Sequence, residues 1–195
     1  MALFGIPVLI EAPFLLKVWL KDVPQFAVIF VQLSIVAMLI EIFTFQLNHA
    51  ISAIGNIKGL QVMGSIVNLV YLPFAWIMFK NGYPPVTIYW LFLLSLLLMA
   101  LTRLYYAYKI VGIQPLIFIK FAVIPVLIPM IIVTLLAFVI NTILSNGWLS
   151  LIIIVLLYCI SFSFLFWRMG MVDAERDLWL NILAQIKNKL VRKKL

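Results

Sequence analysis

The stretch SIVAMLIEIFTFQLNHAISAIGN, residues 34–56, decides the fold. Most of it is as apolar as lipid, yet it carries Glu41, Gln46, Asn48 and His49. Around it, 67% of the 195 residues are hydrophobic and only 10% are charged. A water-soluble domain is nearer half apolar and a quarter charged. A chain of this length leaves too much surface exposed to hide that apolar area from water. Lipid is therefore the solvent for most of the chain. The same composition excludes disorder.

A helix that spans a bilayer needs about 20 mostly apolar residues. Five stretches meet that condition, roughly 25–54, 60–79, 86–107, 119–141 and 147–167. Backbone groups in lipid bond within their own segment, so these are helices. Runs such as WLFLLSLLLMALT (90–102) show none of the alternation of a β-barrel strand. Residues 2–20 form a weaker, partial span interrupted by Pro7, Glu11 and Pro13. The expected fold is all-α: a polytopic bundle of five full spans, one partial N-terminal span and a C-terminal amphipathic helix. The N-terminal residues lack a basic leader and a small-residue cleavage site, and are read as part of the mature chain.

The connections KDVP (21–24), GNIKG (55–59), KNGYPP (80–85), YKIVGIQP (108–115) and SNG (145–147) use Gly and Pro as breakers. None is long enough to be a separate domain. The organisation is a bundle over 1–168 and a basic tail over 169–195. In that tail Trp179, Ile182, Leu183, Ile186 and Leu190 recur at helical spacing, and Asp173 stands where it can cap the start. Such a helix lies at a membrane interface.

Charge sets the expected orientation. The connections after the second, fourth and sixth segments, with the tail, hold 11 of the basic residues, including Lys58, Lys109, Lys120 and Arg168. The other side holds Lys17, Lys21 and Lys80. Basic residues accumulate on the cytoplasmic side, which places both termini there. The net charge of +8 then faces anionic lipid. Scattered at membrane edges without a recognition module, it gives no support to nucleic-acid binding.

On a helix of 100° per residue, Ser34, Glu41, Asn48 and Ser52 fall within a narrow arc, with Gln46 and His49 to either side. An acid at the centre of a span costs roughly 2.5–3.5 kcal/mol to insert, so it faces protein or water. Glu41, Asn48, Ser34, Ser52 and Gln46 are thus candidates for a substrate or ion path. The alternative is a protonated Glu41 hydrogen-bonded to a neighbouring helix. Arg103, with Tyr105, Tyr106 and Tyr108, reads as an interfacial belt, and Arg103 is also a candidate for a headgroup phosphate. Ser65 and Asn68, beside Gly64, read as close helix packing. His49 has no companions at metal-ligand spacing, and the lone Cys159 reads as a packing residue. No metal site or cofactor is expected. No GxSxG, HExxH or P-loop motif is present, so nothing points to an enzyme.

Several phrases in order resemble a known family: PFLLKVWLKDVPQFAVIFVQL (13–33), AISAIGNIKGLQV (50–62), LPFAWIMFKNGYPP (72–85), LTRLYYAYKIVG (101–112) and GMVDAERDLWL (170–180). The chain resembles the C-terminal part of bacterial polysaccharide-export membrane proteins. These are the O-antigen and lipid-linked oligosaccharide flippases of the multidrug/oligosaccharidyl-lipid/polysaccharide superfamily. The resemblance implies a two-lobe transporter of twelve to fourteen helices, of which this chain is the final third to half. It implies a location in the inner membrane and a substrate of undecaprenyl-diphosphate-linked oligosaccharide. It also implies a hydrated cationic cavity, completed by a missing N-terminal lobe or by self-association, with Glu41 as the candidate for ion coupling. The alternatives are an ion-coupled multidrug exporter of the same superfamily, a non-transporting membrane scaffold, or a truncated remnant.

Overall fold

The computed structural model of the protein describes residues 1–144, 147–171, 176–179 and 181. Over these the chain is an all-α, multi-pass membrane protein with no strand. Five helical stretches are long and apolar enough to cross a bilayer: Ala27–Ala53, Lys58–Lys80, Val86–Val111, Pro115–Ile143 and Trp148–Met169. The elements are α1 (Ala2–Ile10), α2 (Ala12–Trp19), α3 (Ala27–Ala53), α4 (Lys58–Lys80), α5 (Val86–Tyr106), α6 (Pro115–Phe118), α7 (Ile124–Ile143) and α8 (Trp148–Met169). Most of the expected amphipathic tail, including Asp173, Ile182, Leu183, Ile186 and Leu190, lies outside the described residues.

Two boundaries differ from expectation. The sequence predicts a connection at YKIVGIQP, but α5 runs on through a π-helical turn, Ala107–Val111, until Gly112 takes a left-handed conformation (φ 81°). A second π-turn, Ile119–Val123, joins α6 to α7, so that span starts at Pro115. A π-turn accommodates an extra residue without breaking the helix, and apolar periodicity does not reveal it.

The partial span is a corner. α1 and α2 meet at Glu11 with a bend of 76°. Pro13 has no N–H, so the Leu9 carbonyl four residues earlier lacks its helical donor. Gln32 of α3 donates its side-chain Nε2 to that carbonyl at 3.1 Å. In hydrocarbon a freed carbonyl needs such a substitute.

Two groups of helices meet at α3. In the first, α3 and α5 run parallel, with Ser34 beside Tyr89 and Thr44 beside Arg103. Between them in sequence, α4 returns antiparallel along α5, with Tyr71 by Phe92 and a Cβ built on Gly64 only 2.9 Å from Met99. A Cβ on Gly59 meets the Tyr106 ring at 2.7–2.9 Å, so both glycines are spacers that let α4 close on α5. In the second group α1, α7 and α8 share a core of Ile6, Ile10, Val133, Ala137, Ile154 and Tyr158. Lipid tails are as apolar as leucine, so contact between backbones and polar side chains, not hydrophobic burial, holds such groups together.

Candidate functional site

The polar stripe of α3 turns toward α5. Arg103 of α5 is 5% exposed. Its Nη2 donates to Glu41 Oε1 at 3.4 Å and its Nη1 to Thr44 Oγ1 at 3.2 Å. Its guanidinium lies 5.8 Å from the centroid of the Phe45 ring. The sequence reading of Arg103 as an interfacial belt is therefore corrected. The π-turn extends α5 to Val111, which leaves Arg103 about 12 Å inside the helix end at 1.5 Å per residue. The pairing also answers the question posed by Glu41. It is neither isolated nor bonded only to a neutral neighbour, because a cation from another helix faces it.

The ion pair is lopsided. The Arg103 side chain is 6% exposed and that of Glu41 44%. Their 3.4 Å separation is longer than a tight charge-assisted bond of about 2.7–2.9 Å. Arg103 Nε and Asn48 Oδ1 are buried without a protein partner. Arginine carries five donors in a fixed fork, so this pair leaves capacity for a further acceptor.

Helical geometry describes the surroundings of the pair. Around α5, Arg103 points between the sides taken by α3 and α4. The α4 flank facing α5 carries Leu60, Gly64 and Tyr71. One side of that contact holds an apolar hollow lined by Ile66, Val70, Phe74, Leu94 and Leu98. At 100° per residue the opposite side of α4 carries Gln61, Ser65 and Asn68. All three are exposed, at helical spacings of four and three. The antiparallel register of α4 brings them to the depth of Glu41 and Asn48. Helical geometry therefore implies a polar groove with α5 as floor and α3 and α4 as walls. Ser65 and Asn68, read from sequence as packing residues, line this groove instead. Of Gly64, Ser65 and Asn68, it is Gly64 that makes the close approach, and Ser65 is rotated 100° from it.

The other sequence candidates divide. Ser34 donates to the Phe30 carbonyl at 2.7 Å and lies 3.3 Å from the Tyr89 hydroxyl, near the far end of the same arc. Ser52 is exposed in the last turn of α3. Gln46 is exposed on a different side of the helix, away from Glu41. His49 packs edge-on against Phe45 with ring centroids 5.3 Å apart.

A second polar cluster lies at the α1–α2 corner. Glu11 is 1% exposed and accepts a hydrogen bond from Ser150 Oγ at 2.7 Å. Asn141 Oδ1 lies 3.5 Å from the same hydroxyl. Three separate segments converge there. Pairs such as Glu11–Ser150 and Glu41–Arg103 lie 139 and 62 residues apart, so no local motif announces them. Gln61–Ser65–Asn68 did leave a signal, a polar row at helical spacing.

No protein-family model matches the chain, and no curated protein or solved structure is measurably similar to it.

Proposed function

We propose that this chain is a lobe of a membrane transporter that carries phosphate-bearing, lipid-linked oligosaccharide across the bacterial inner membrane. In this reading it is the C-terminal part of a polysaccharide flippase. The observation that carries the reading is the pairing of a half-exposed Glu41 with a buried Arg103 that keeps an unpartnered Nε, next to an exposed polar flank of α4. By helical spacing the exposed Gln61, Ser65 and Asn68 stand on the α4 flank turned toward the side of α5 that carries the incompletely bonded Arg103. A laterally open polar groove suits a substrate whose headgroup crosses while its tail stays in lipid. Arginine recognises phosphate through paired N–H donors. The family resemblance and the basic excess on one side support the same reading, with both termini cytoplasmic. A second lobe or a second copy closes the groove.

The test uses proteoliposomes containing the chain and a fluorescent polyprenyl-diphosphate oligosaccharide, with a membrane-impermeant quencher outside. The expected result is movement at least tenfold faster than in protein-free vesicles, no acceleration of fluorescent phosphatidylcholine, and loss of the effect in Arg103→Met. Equal rates with and without protein count against the proposal.

The Glu11 cluster favours a second reading, an ion-coupled exporter. A buried acid with hydroxyl and amide neighbours at a broken helix is the kind of group that couples transport to a cation. Uptake of a cationic dye driven by a sodium or proton gradient, abolished in Glu11→Gln, selects that reading over the first.

A further inference from the structure

A cleft of about 550 Å³ separates the two helix groups, where α5 and α7 barely touch. Leu39 and Phe43 of α3 form its back, Ala100 and Leu104 of α5 one edge, and the span Pro115–Ile143 the other. Its exposed lining is wholly apolar. Two hydroxyls border it, and both are engaged. Thr44 Oγ1 accepts from Arg103, and Thr134 Oγ1 donates to the Met130 carbonyl at 2.6 Å. The cleft therefore has nothing to hold water. Ile6 and Leu39 at its back are buried, whereas Ile131 and Leu135 on its rim are exposed. It opens sideways into the bilayer, and hydrocarbon fills it.

Size and depth narrow the occupant. On α3 the lining covers 36–44, about 12 Å, and on α5 it covers 100–104, about 6 Å, at 1.5 Å per residue. A helix about 10 Å across fills roughly 900 Å³ over 12 Å of length, which is more than the cleft holds. One leaflet's share of a hydrocarbon core about 30 Å thick is about 15 Å. The enclosed depth thus matches the acyl chain of a lipid from one leaflet. The third wall begins at Phe118, close to the start of its span at Pro115, so the cleft reaches one membrane edge.

That edge is basic. Lys120 stands in the π-turn Ile119–Val123, whose first and last residues line the cleft. It is exposed, with its ammonium 5.6 Å from the centroid of the Phe121 ring. Lys109, in the π-turn that ends α5, and Arg168, in the last turn of α8, are exposed at the same end of the bundle. Basic side chains at a membrane edge attract anionic headgroups.

We propose that the cleft holds one acyl chain of an anionic diacyl phospholipid, with the headgroup at Lys120 and the second chain outside, against Ile131 and Leu135. The lipid is a resident part of the bundle that fills the gap between its two helix groups. It is not cargo, so the proposal stands apart from the transport reading and a chain that moves nothing satisfies it.

The experiment is native mass spectrometry of the whole chain released from nanodiscs. The nanodiscs mix phosphatidylglycerol with equal amounts of phosphatidylethanolamine of the same acyl chains, a free fatty acid of that chain length, or a polyprenyl phosphate. The expected result is one phosphatidylglycerol per chain, retained at least fivefold over each competitor. Ala100→Trp and Leu104→Trp fill the cleft and cut retention roughly tenfold. Leu94→Trp, in the apolar hollow between α4 and α5, leaves it unchanged. Lys120→Ala removes the preference over phosphatidylethanolamine, and Lys120→Arg keeps it. In detergent, added phosphatidylglycerol raises the unfolding temperature of the parent and of Leu94→Trp, because a ligand of the folded state stabilises it. That increment is absent in Leu104→Trp, and the same scans report whether each variant is folded. Should a Trp variant misfold, Ala100→Leu repeats the test with a smaller filling. Equal retention of phosphatidylglycerol and phosphatidylethanolamine, stronger retention of the polyprenyl phosphate or the fatty acid, retention unaffected by a folded cleft-filling variant, or a second copy of the chain in place of lipid overturns the proposal.

Discussion

Replacing Glu41 with Leu destabilises the bundle by about 3–5 kcal/mol, and more than replacing Arg103 with Met does. The asymmetry follows from which partner is buried. Without Glu41, the Arg103 guanidinium is left 6% exposed with no counterion. Breaking a buried pair on one side leaves an uncompensated charge, which is the expensive outcome. Without Arg103, Glu41 keeps a side chain 44% exposed toward the groove, where water solvates it. The double variant Glu41→Leu/Arg103→Met recovers most of the loss, since replacing both ions with apolar groups of similar volume is often neutral or stabilising. Denaturant unfolding in bicelles over all four proteins measures the coupling directly. If Arg103→Met costs more than Glu41→Leu, the exposed edge of Glu41 faces acyl chains and the groove is not wet.

The second large effect is at the corner of α1 and α2. Glu11→Ala costs about 3–5 kcal/mol, from the cavity left by a side chain of that length and from the lost bond to Ser150. Ser150 is fully buried, so its hydroxyl loses its 2.7 Å acceptor with no water to replace it. Ser150→Ala costs about 1–3 kcal/mol, because only the bond is removed. Glu11→Gln keeps the shape and one acceptor oxygen and stays closest to the parent. The order Ala, then Ser150→Ala, then Gln is read from unfolding midpoints in the same bicelles. Equal stability of Glu11→Ala and the parent contradicts a structural role for the corner.

The spans were legible because lipid imposes a single requirement that composition reports: about 20 apolar residues per crossing. The segment expected at 25–54 is the helix Ala27–Ala53, and that at 147–167 is Trp148–Met169. The corner at Glu11 was visible as Pro7, Glu11 and Pro13 in a short run, but not as a bend. Its cause includes Gln32, a residue of another helix. The arc of Ser34, Glu41 and Asn48 followed from helical spacing, and it does face one neighbour, α5. The identity of that neighbour's cation did not follow. Arg103 stands next to three tyrosines and imitates a membrane-edge belt, whereas packing against Glu41, Thr44 and Phe45 of α3 buries it. Ser65 and Asn68 read as packing residues because Gly64 supplies a packing motif at the adjacent position, yet both are exposed. A rotation of 100° separates the two roles, and the direction of that rotation depends on where α5 sits.

The central claim is that α4 presents water on one flank and lipid on the next. Nitroxide labels at Ser65→Cys and Ile66→Cys, each in a Cys159→Ser background reconstituted in vesicles, measure it directly. The two positions are adjacent, and both are exposed. The account predicts that a water-soluble nickel chelate relaxes the label at 65 more than oxygen does, and that oxygen dominates at 66. Oxygen dominating at both positions places the Gln61, Ser65 and Asn68 flank against hydrocarbon and contradicts the account.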